Sequence, residues 1–556
     1  MSLFRTKPLT TILQQGGDGE SHGALHKVLN VRDLTFFGIA AIIGGGTFSA
    51  IGQACYSGGP GVTLLYIICG VACGFTAMCY AEFASRVPVS GSAYTYAYVS
   101  FGELFAWIIG WALIMEYSIG NIYIAFSWSG YFTNLLEAFH IHLPDWLTIN
   151  YRAAHQAFLD GAKGEGMQAW TTAPQIGSLK VIFDLPAVLI NVLITYLVYR
   201  GTKESRNFSN AMVYIKLAII VLVILVGAMY VDINNWTPFM PNGFGGVMGG
   251  VSAVFFAYIG FDAVSTLAEE CKNPQRDLPR GMIYSLVVCT VVYIILALVL
   301  TGMVSYQYLG VSDPLAEIFA LKGVKWMLFI VSIAAVVAMT SVLLVFQMGQ
   351  PRIWMTMSRD GLMPKQFSQI HPKYKTPGFA TIVTGFVVGL PIFFTDENFV
   401  LDFTSIGTLF AFVLVCGGVL LLSPQSPEEV AEGKTKGKFR IPYVNGKYIF
   451  PLLVAGSGGL IALLFPDFFI SAFDYSEGNR AASIPMTLFF VLCTVMSVLA
   501  HLKNLSLIPL LGLVSCCYLL TGMAASNWMW FGVWLLIGLV IYFGFSRKNS
   551  KLNTEN

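Results

Sequence analysis

Apolar residues in this chain run in long unbroken blocks divided by short polar segments. They show neither the one-sided 3.6 period of a half-exposed helix nor the alternation of a strand. Fourteen blocks stand out, at residues 33–55, 62–85, 103–135, 178–199, 209–231, 246–269, 282–304, 324–351, 378–396, 402–423, 448–469, 484–502, 506–523 and 528–546. Each predicts a helix able to cross a hydrocarbon core of about 30 Å, which takes roughly 20 residues. The third block is over-long, which predicts a tilted helix or a separate short helix near residues 94–99. A polar segment at 137–177 carries Trp146, Tyr151 and Trp170, the residue types that anchor at a membrane interface. The predicted fold class is all-α, a polytopic membrane protein. It is organised as an N-terminal tail (1–32), a ten-helix core (33–424), a charged linker (425–447), four further transmembrane helices (448–546) and a C-terminal tail (547–556).

Composition agrees. Of 556 residues, 56% are AVILMFWYC and only 11% are charged, against about 25% charged in a soluble domain. Disorder is excluded, since it needs low hydrophobicity and high net charge. A net charge of +2 with no basic stripe argues against a nucleic-acid partner. The ten cysteines sit in or beside apolar blocks with no C-x-x-C pair, as small hydrophobes do. The histidines avoid the spans, so neither a metal nor a cofactor is expected. The first 30 residues hold no apolar core of a cleavable signal.

Charge sets the expected orientation. With the N-terminus in the cytoplasm, 25 of the 32 Lys and Arg residues fall in cytoplasmic segments, six in outer loops, and Lys216 inside a span. That asymmetry predicts a multi-pass protein of the plasma (inner) membrane with both termini cytoplasmic.

Two spans are peculiar. Span 1 contains Gly44-Gly45-Gly46 near its middle, and span 6 contains Gly260 followed by Asp262. Three consecutive glycines fall on different helix faces, so close helix packing does not account for them. Span 1 opens the first five spans and span 6 the second five, the pattern of inverted repeats with broken helices. Unwound backbone must face protein or a wet cavity, because its peptide groups go unpaired in lipid. Free N–H groups at the start of a half-helix suit a carboxylate, and free carbonyls suit an ammonium. An α-amino acid carries both.

Ionisable residues lie inside the apolar blocks. Lys216 is central to span 5, where a lysine costs about 2.5–3.5 kcal/mol on insertion scales. Its alternatives are a proton-coupling amine and a side chain snorkelling to the surface. Glu116 in span 3 either lines the cavity or bonds a neighbouring helix. Asp262 is expected to cap the half-helix after the span 6 break by accepting from the N–H groups of residues 263–265. Glu82 and Arg86 are spaced i, i+4, which favours a local ion pair at one end of span 2, with a gating role as the alternative.

Several stretches resemble the amino acid–polyamine–organocation superfamily, and within it the cationic amino acid transporters. Residues 38–48 resemble the family's GIGAIIGTGIF. Tyr80-Ala81-Glu82-Phe83-Ala84 with Val87-Pro88 and Gly91-Ser92-Ala93-Tyr94 resembles its span 2–3 signature. Residues 255–270 with Asn273-Pro274-Gln275-Arg276-Asp277-Leu278-Pro279, Met357-Ser358-Arg359-Asp360-Gly361-Leu362, and residues 534–543 continue the likeness. The resemblance implies a LeuT-type five-plus-five inverted-repeat core. It implies that the substrate carboxylate meets backbone at Gly45 and Gly46 and that the ammonium meets carbonyls of Ile42, Phe256 and Ile259. It places Glu116 near the pocket and Lys216 where sodium-coupled relatives bind an ion, hence proton coupling. Met339, Thr340 and Ser341 are implied to face the pocket. The glycine motif departs in having Ala40 for Gly, Gly45 for Thr and Thr47 for Ile, so Thr47 supplies a hydroxyl in place of the one lost.

The reading is therefore a proton-coupled amino acid permease embedded in a lipid bilayer. The alternatives are an exchanger of amino acids or polyamines and a receptor that binds without translocating. An enzyme and an ATP-driven pump are set aside, because the spans hold no nucleophile–base or metal-ligand cluster and no G-x-x-x-x-G-K-[ST] loop occurs.

Overall fold

The protein is described by a computed structural model covering residues 5–7 and 27–553, apart from 88, 162–163, 178, 312, 422–438, 465, 467–469, 471–472, 474–479 and 524. Much of the linker expected at 425–447 therefore lies outside the described residues.

Every predicted apolar block coincides with a helix or a pair of half-helices. Among the described residues nine helical runs are long and apolar enough to cross a membrane, and three shorter apolar helices, Leu185–Arg200, Gly378–Phe393 and Leu507–Thr521, fall where spans 4, 9 and 13 were expected. The over-long third block resolves into two elements, Ser92–Ser100 and the 36-residue helix Glu103–Ala138. Span 8 runs to Arg359, a full two turns past the apolar block. Its extension is tolerated because Arg352 is paired with Glu270, and Arg359 with Glu269 at 3.0 Å.

Span 3 and span 8 form the centre of the helix packing, with span 7 against spans 1 and 2 and span 10 against span 3. The last span is clasped onto span 3 by indoles. Trp107 Nε1 donates to Gly538 O at 2.9 Å, Trp111 Nε1 to Trp534 O at 2.8 Å, and Trp534 Nε1 to Trp111 O at 3.0 Å. Span 13 packs on span 2, where Gly512 lies against Phe75 and Cys416. Gly446–Leu464 and Arg480–Lys503 share a small core of Phe450, Met496 and Ala500 with Leu510 of span 13. Their other faces are exposed, as suits helices bordered by lipid.

The two termini meet at one end of the bundle. Arg5 bonds Asn553 Oδ1 at 2.8 Å and Glu103 at 3.3 Å, and Lys7 pairs with Asp360. At the far end the 137–177 segment folds on itself as helices Tyr151–Leu159 and Glu165–Thr172. Trp146, Tyr151 and Trp170, expected as interface anchors, are partly buried and pack around Ala154, Ala169 and Ile182 of this small unit.

Candidate functional site

Both predicted breaks are present. Span 1 is helical over Val31–Ile42, extended at Ile43 (φ −82°, ψ 99°), and helical again from Gly46. Among the described residues no backbone acceptor pairs with the N–H groups of Gly44 and Gly45. Gly46 opens the new helix, so its N–H belongs to a first turn that has no intrahelical partner. Span 6 is helical over Val251–Phe256 and resumes as a 3-10 helix at Asp262–Glu270. Gly260 stands between them at φ +118°, in the left-handed region that side chains avoid.

The glycines are needed because each break lies on the other. A Cβ on Gly46 would overlap Cα of Ala257, and one on Gly260 would come within 2.7 Å of Ala41 Cβ. The two breaks are thereby brought into direct backbone contact. Phe256 O accepts from Ile259 N at 3.2 Å, while no backbone donor among the described residues reaches Ile259 O.

Tyr293 of span 7 staples the two breaks. Its hydroxyl lies 2.8 Å from both Ile42 O and Ala257 O, and Thr47 Oγ1 donates to it at 3.1 Å. Thr47 thus turns its hydroxyl to Tyr293. A phenol carries one proton, so Tyr293 donates to one of the two carbonyls at a time. Tyr293→Phe removes that donor from a buried site at a cost of about 1–3 kcal/mol. The purified variant is expected to unfold several degrees below the parent in a thermal melt, and an unchanged midpoint would show the staple to be idle.

Lys216 is fully buried and does not snorkel. Its three ammonium protons are all used, on Ala40 O at 3.0 Å, Ile43 O at 2.6 Å and Ser341 Oγ at 2.9 Å. The lysine therefore ties the unwound part of span 1 to span 8. Of the span 8 residues implied to face the pocket, Ser341 meets Lys216, whereas Thr340 Oγ1 accepts from Trp128 Nε1 at 2.9 Å.

Glu116 and Asp262 are both buried and close enough to feel each other's charge. Among the described residues Glu116 Oε2 and both Asp262 oxygens have no hydrogen-bond partner, and the Tyr117 hydroxyl lies beside Asp262 without closing a bond. The N–H of Ala263 lies beside the Asp262 carboxylate, as the expected cap requires, but among the described residues no bond closes at hydrogen-bond geometry. Phe261 already has helical φ and ψ of −62° and −31°, so Asp262 sits within the first turn, and the 3-10 helix starts with no side-chain cap. Glu82 and Arg86 do pair, and Glu82 Oε2 also accepts from Ile441 N at 3.2 Å, which ties span 2 to the segment before span 11.

Sequence reasoning passed over Tyr123, two turns beyond Glu116 on the same face of span 3. Its ring packs edge-on against Phe256 at 4.5 Å and lies beside Gly45. Its hydroxyl lies beside Glu397 and Ser49. Glu397, with Ser127, Asp184, Asp313 and Asp396, lines a polar cavity of ≈ 320 Å³ at the end away from the termini. Tyr123 thus touches Glu397 of this cavity with its hydroxyl and Phe256 of the span 6 break with its ring. The termini end carries the ion pairs Arg352–Glu270, Arg359–Glu269 and Lys7–Asp360.

Two helix breaks packed on each other, with the amides of Gly44 and Gly45 and the carbonyl of Ile259 lacking backbone partners among the described residues, and a lysine held at the junction, define a secondary transporter of the broken-helix type. The chain belongs to the amino acid permease family. The family model matches residues 29–471, and the model of the family's C-terminal segment matches 505–550. A branched-chain amino acid permease of Bacillus subtilis (strain 168) is 38% identical over 99% of both chains, and a methylthioribose transporter of the same organism is 37% identical over 99% of both. A vacuolar cationic amino acid transporter of Arabidopsis thaliana is 30% identical over 99% of this chain and 93% of its own. The expected superfamily and its cationic-transporter-like character hold, and the protein is an integral multi-pass permease rather than an enzyme.

Proposed function

We propose that this permease takes up L-amino acids in symport with protons across the plasma membrane, with the termini end in the cytoplasm. The observation that carries it is the pair of unlike poles, the amides of Gly44 and Gly45 without a backbone acceptor in one break and the carbonyl of Ile259 without a backbone donor in the other, with the two breaks in contact at Gly46 and Ala257. Ile42, Gly45, Gly46, Thr47, Phe256 and Ile259 form the backbone grip, with Glu116 and Tyr123 at its side. The walls next to the glycines are Ile124, Tyr123 and Val342, which favour an apolar substrate side chain. The branched-chain permease fits this preference by name. Lys216 couples the proton. With its ammonium bonded to span 1 carbonyls, loss of the proton removes charge-assisted bonds that hold the break. In this orientation the polar cavity lies toward the outside and the ion pairs toward the cytoplasm.

The test uses the purified chain in proteoliposomes with an acid-outside gradient and no internal substrate. Labelled leucine is expected to accumulate several-fold, and a protonophore is expected to stop it. Uptake only against internal amino acid would make the protein an exchanger. Binding without accumulation would make it a receptor. Competition by methylthioribose at the affinity of leucine would remove the two-pole reading.

A further inference from the structure

A second concavity lies away from the breaks, on the bundle surface between Leu185–Arg200 (span 4) and Gly378–Gly389 (span 9). It has a volume of ≈ 550 Å³. Val192, Tyr196, Phe386 and Leu390 wall it, all exposed, and Asn191 and Thr195 lie on its floor. Tyr199 closes one end. There the chain gathers basic groups. The Arg200 guanidinium lies over the rings of Tyr196 and Tyr374 at 5.7 and 5.5 Å, and Lys373 Nζ lies 5.5 Å from Tyr374. Tyr374 is itself 5.7 Å from Tyr199. Lys375 follows, and residues 361–377 contain no Asp or Glu.

We propose that this groove binds an anionic phospholipid, its phosphate at Lys373 and Lys375 and one acyl chain along the wall between spans 4 and 9. The occupant is read from charge. A groove in a membrane-spanning face meets lipid first, and a site apolar along its length but basic at one end matches an amphiphile with one anionic end. The other wall of span 4 offers no such polarity, since Leu189, Leu193 and Leu197 are simply exposed to lipid. The inference does not depend on which amino acid is carried, because no groove residue belongs to the substrate grip.

The purified, delipidated full chain is titrated with phosphatidylglycerol and with phosphatidylcholine of the same acyl chains, and thermal unfolding is followed. Phosphatidylglycerol is expected to raise the midpoint by about 5 °C, a shift of the size ligand linkage produces, and phosphatidylcholine by much less. The double variant K373Q/K375Q is expected to lose most of the phosphatidylglycerol increment while keeping the parent's midpoint without lipid. Val192→Trp, which fills the groove from an exposed position, is expected to lose it as well. Equal increments in parent and K373Q/K375Q would overturn the proposal. So would a lipid-independent dimer in native mass spectrometry that Val192→Trp dissolves, since the groove would then seat a second copy. Should Val192→Trp fail to fold, the charge variant and the headgroup comparison decide alone.

Discussion

Replacing Lys216 by methionine is expected to abolish pH-driven uptake, lowering accumulation by about 100-fold or more while the protein still reaches the membrane. Methionine fills nearly the same volume, so packing survives. The ammonium's bonds to Ala40 O, Ile43 O and Ser341 Oγ do not. Each carbonyl left without its donor costs about 1–3 kcal/mol, enough to loosen the join between the span 1 break and span 8. Two readouts separate coupling from mere tethering. Lys216→Arg keeps a charge and donors but cannot release a proton, so it should retain binding and exchange while losing the response to pH. A Lys216→Met protein with unchanged coupling in vesicles would falsify the proton assignment.

Gly46→Val is expected to eliminate substrate binding. The new Cβ would overlap Cα of Ala257, which is backbone and has no rotamer with which to yield. Overpacking of this kind costs about 1–3 kcal/mol, and it falls on the backbone contact between the two breaks. Gly46→Ala carries the same overlap with fewer added atoms and should weaken binding about 10-fold or more. Scintillation-proximity binding of leucine, normalised to folded protein by size-exclusion profile, measures both. Full binding in the valine variant would place the substrate elsewhere.

Much of this was legible in the chain because lipid leaves the backbone few options. A long apolar block must pair its own peptide groups, so each became helix at nearly the expected place. The span 1 break announced itself through three adjacent glycines. The span 6 break offered only Gly260, whose need for a left-handed φ shows once Ala41 is seen against it. Lys216 was visible as a charge in an apolar run, but its partners were not, since Ser341 lies 125 residues away. Tyr293 was hidden more thoroughly, because a tyrosine among Val and Ile reads as core until both carbonyls are placed around it. The Asp262 cap failed by one residue of helix, a margin that pattern reading does not resolve. Arg352 and Arg359 looked like the end of span 8 because the acids that neutralise them sit at 269 and 270, in another helix.

The indole clasp between span 3 and the final span bears on how the molecule is built. Trp107 and Trp111 are set in the middle of the scaffold, yet the oxygens they need, those of Gly538 and Trp534, are translated more than 400 residues later. Two buried N–H donors thus wait for their acceptors until the last span has been made. Without the closing helix both indoles would be buried with no acceptor, at a cost of about 1–3 kcal/mol each, so the last span completes the hydrogen bonding of span 3.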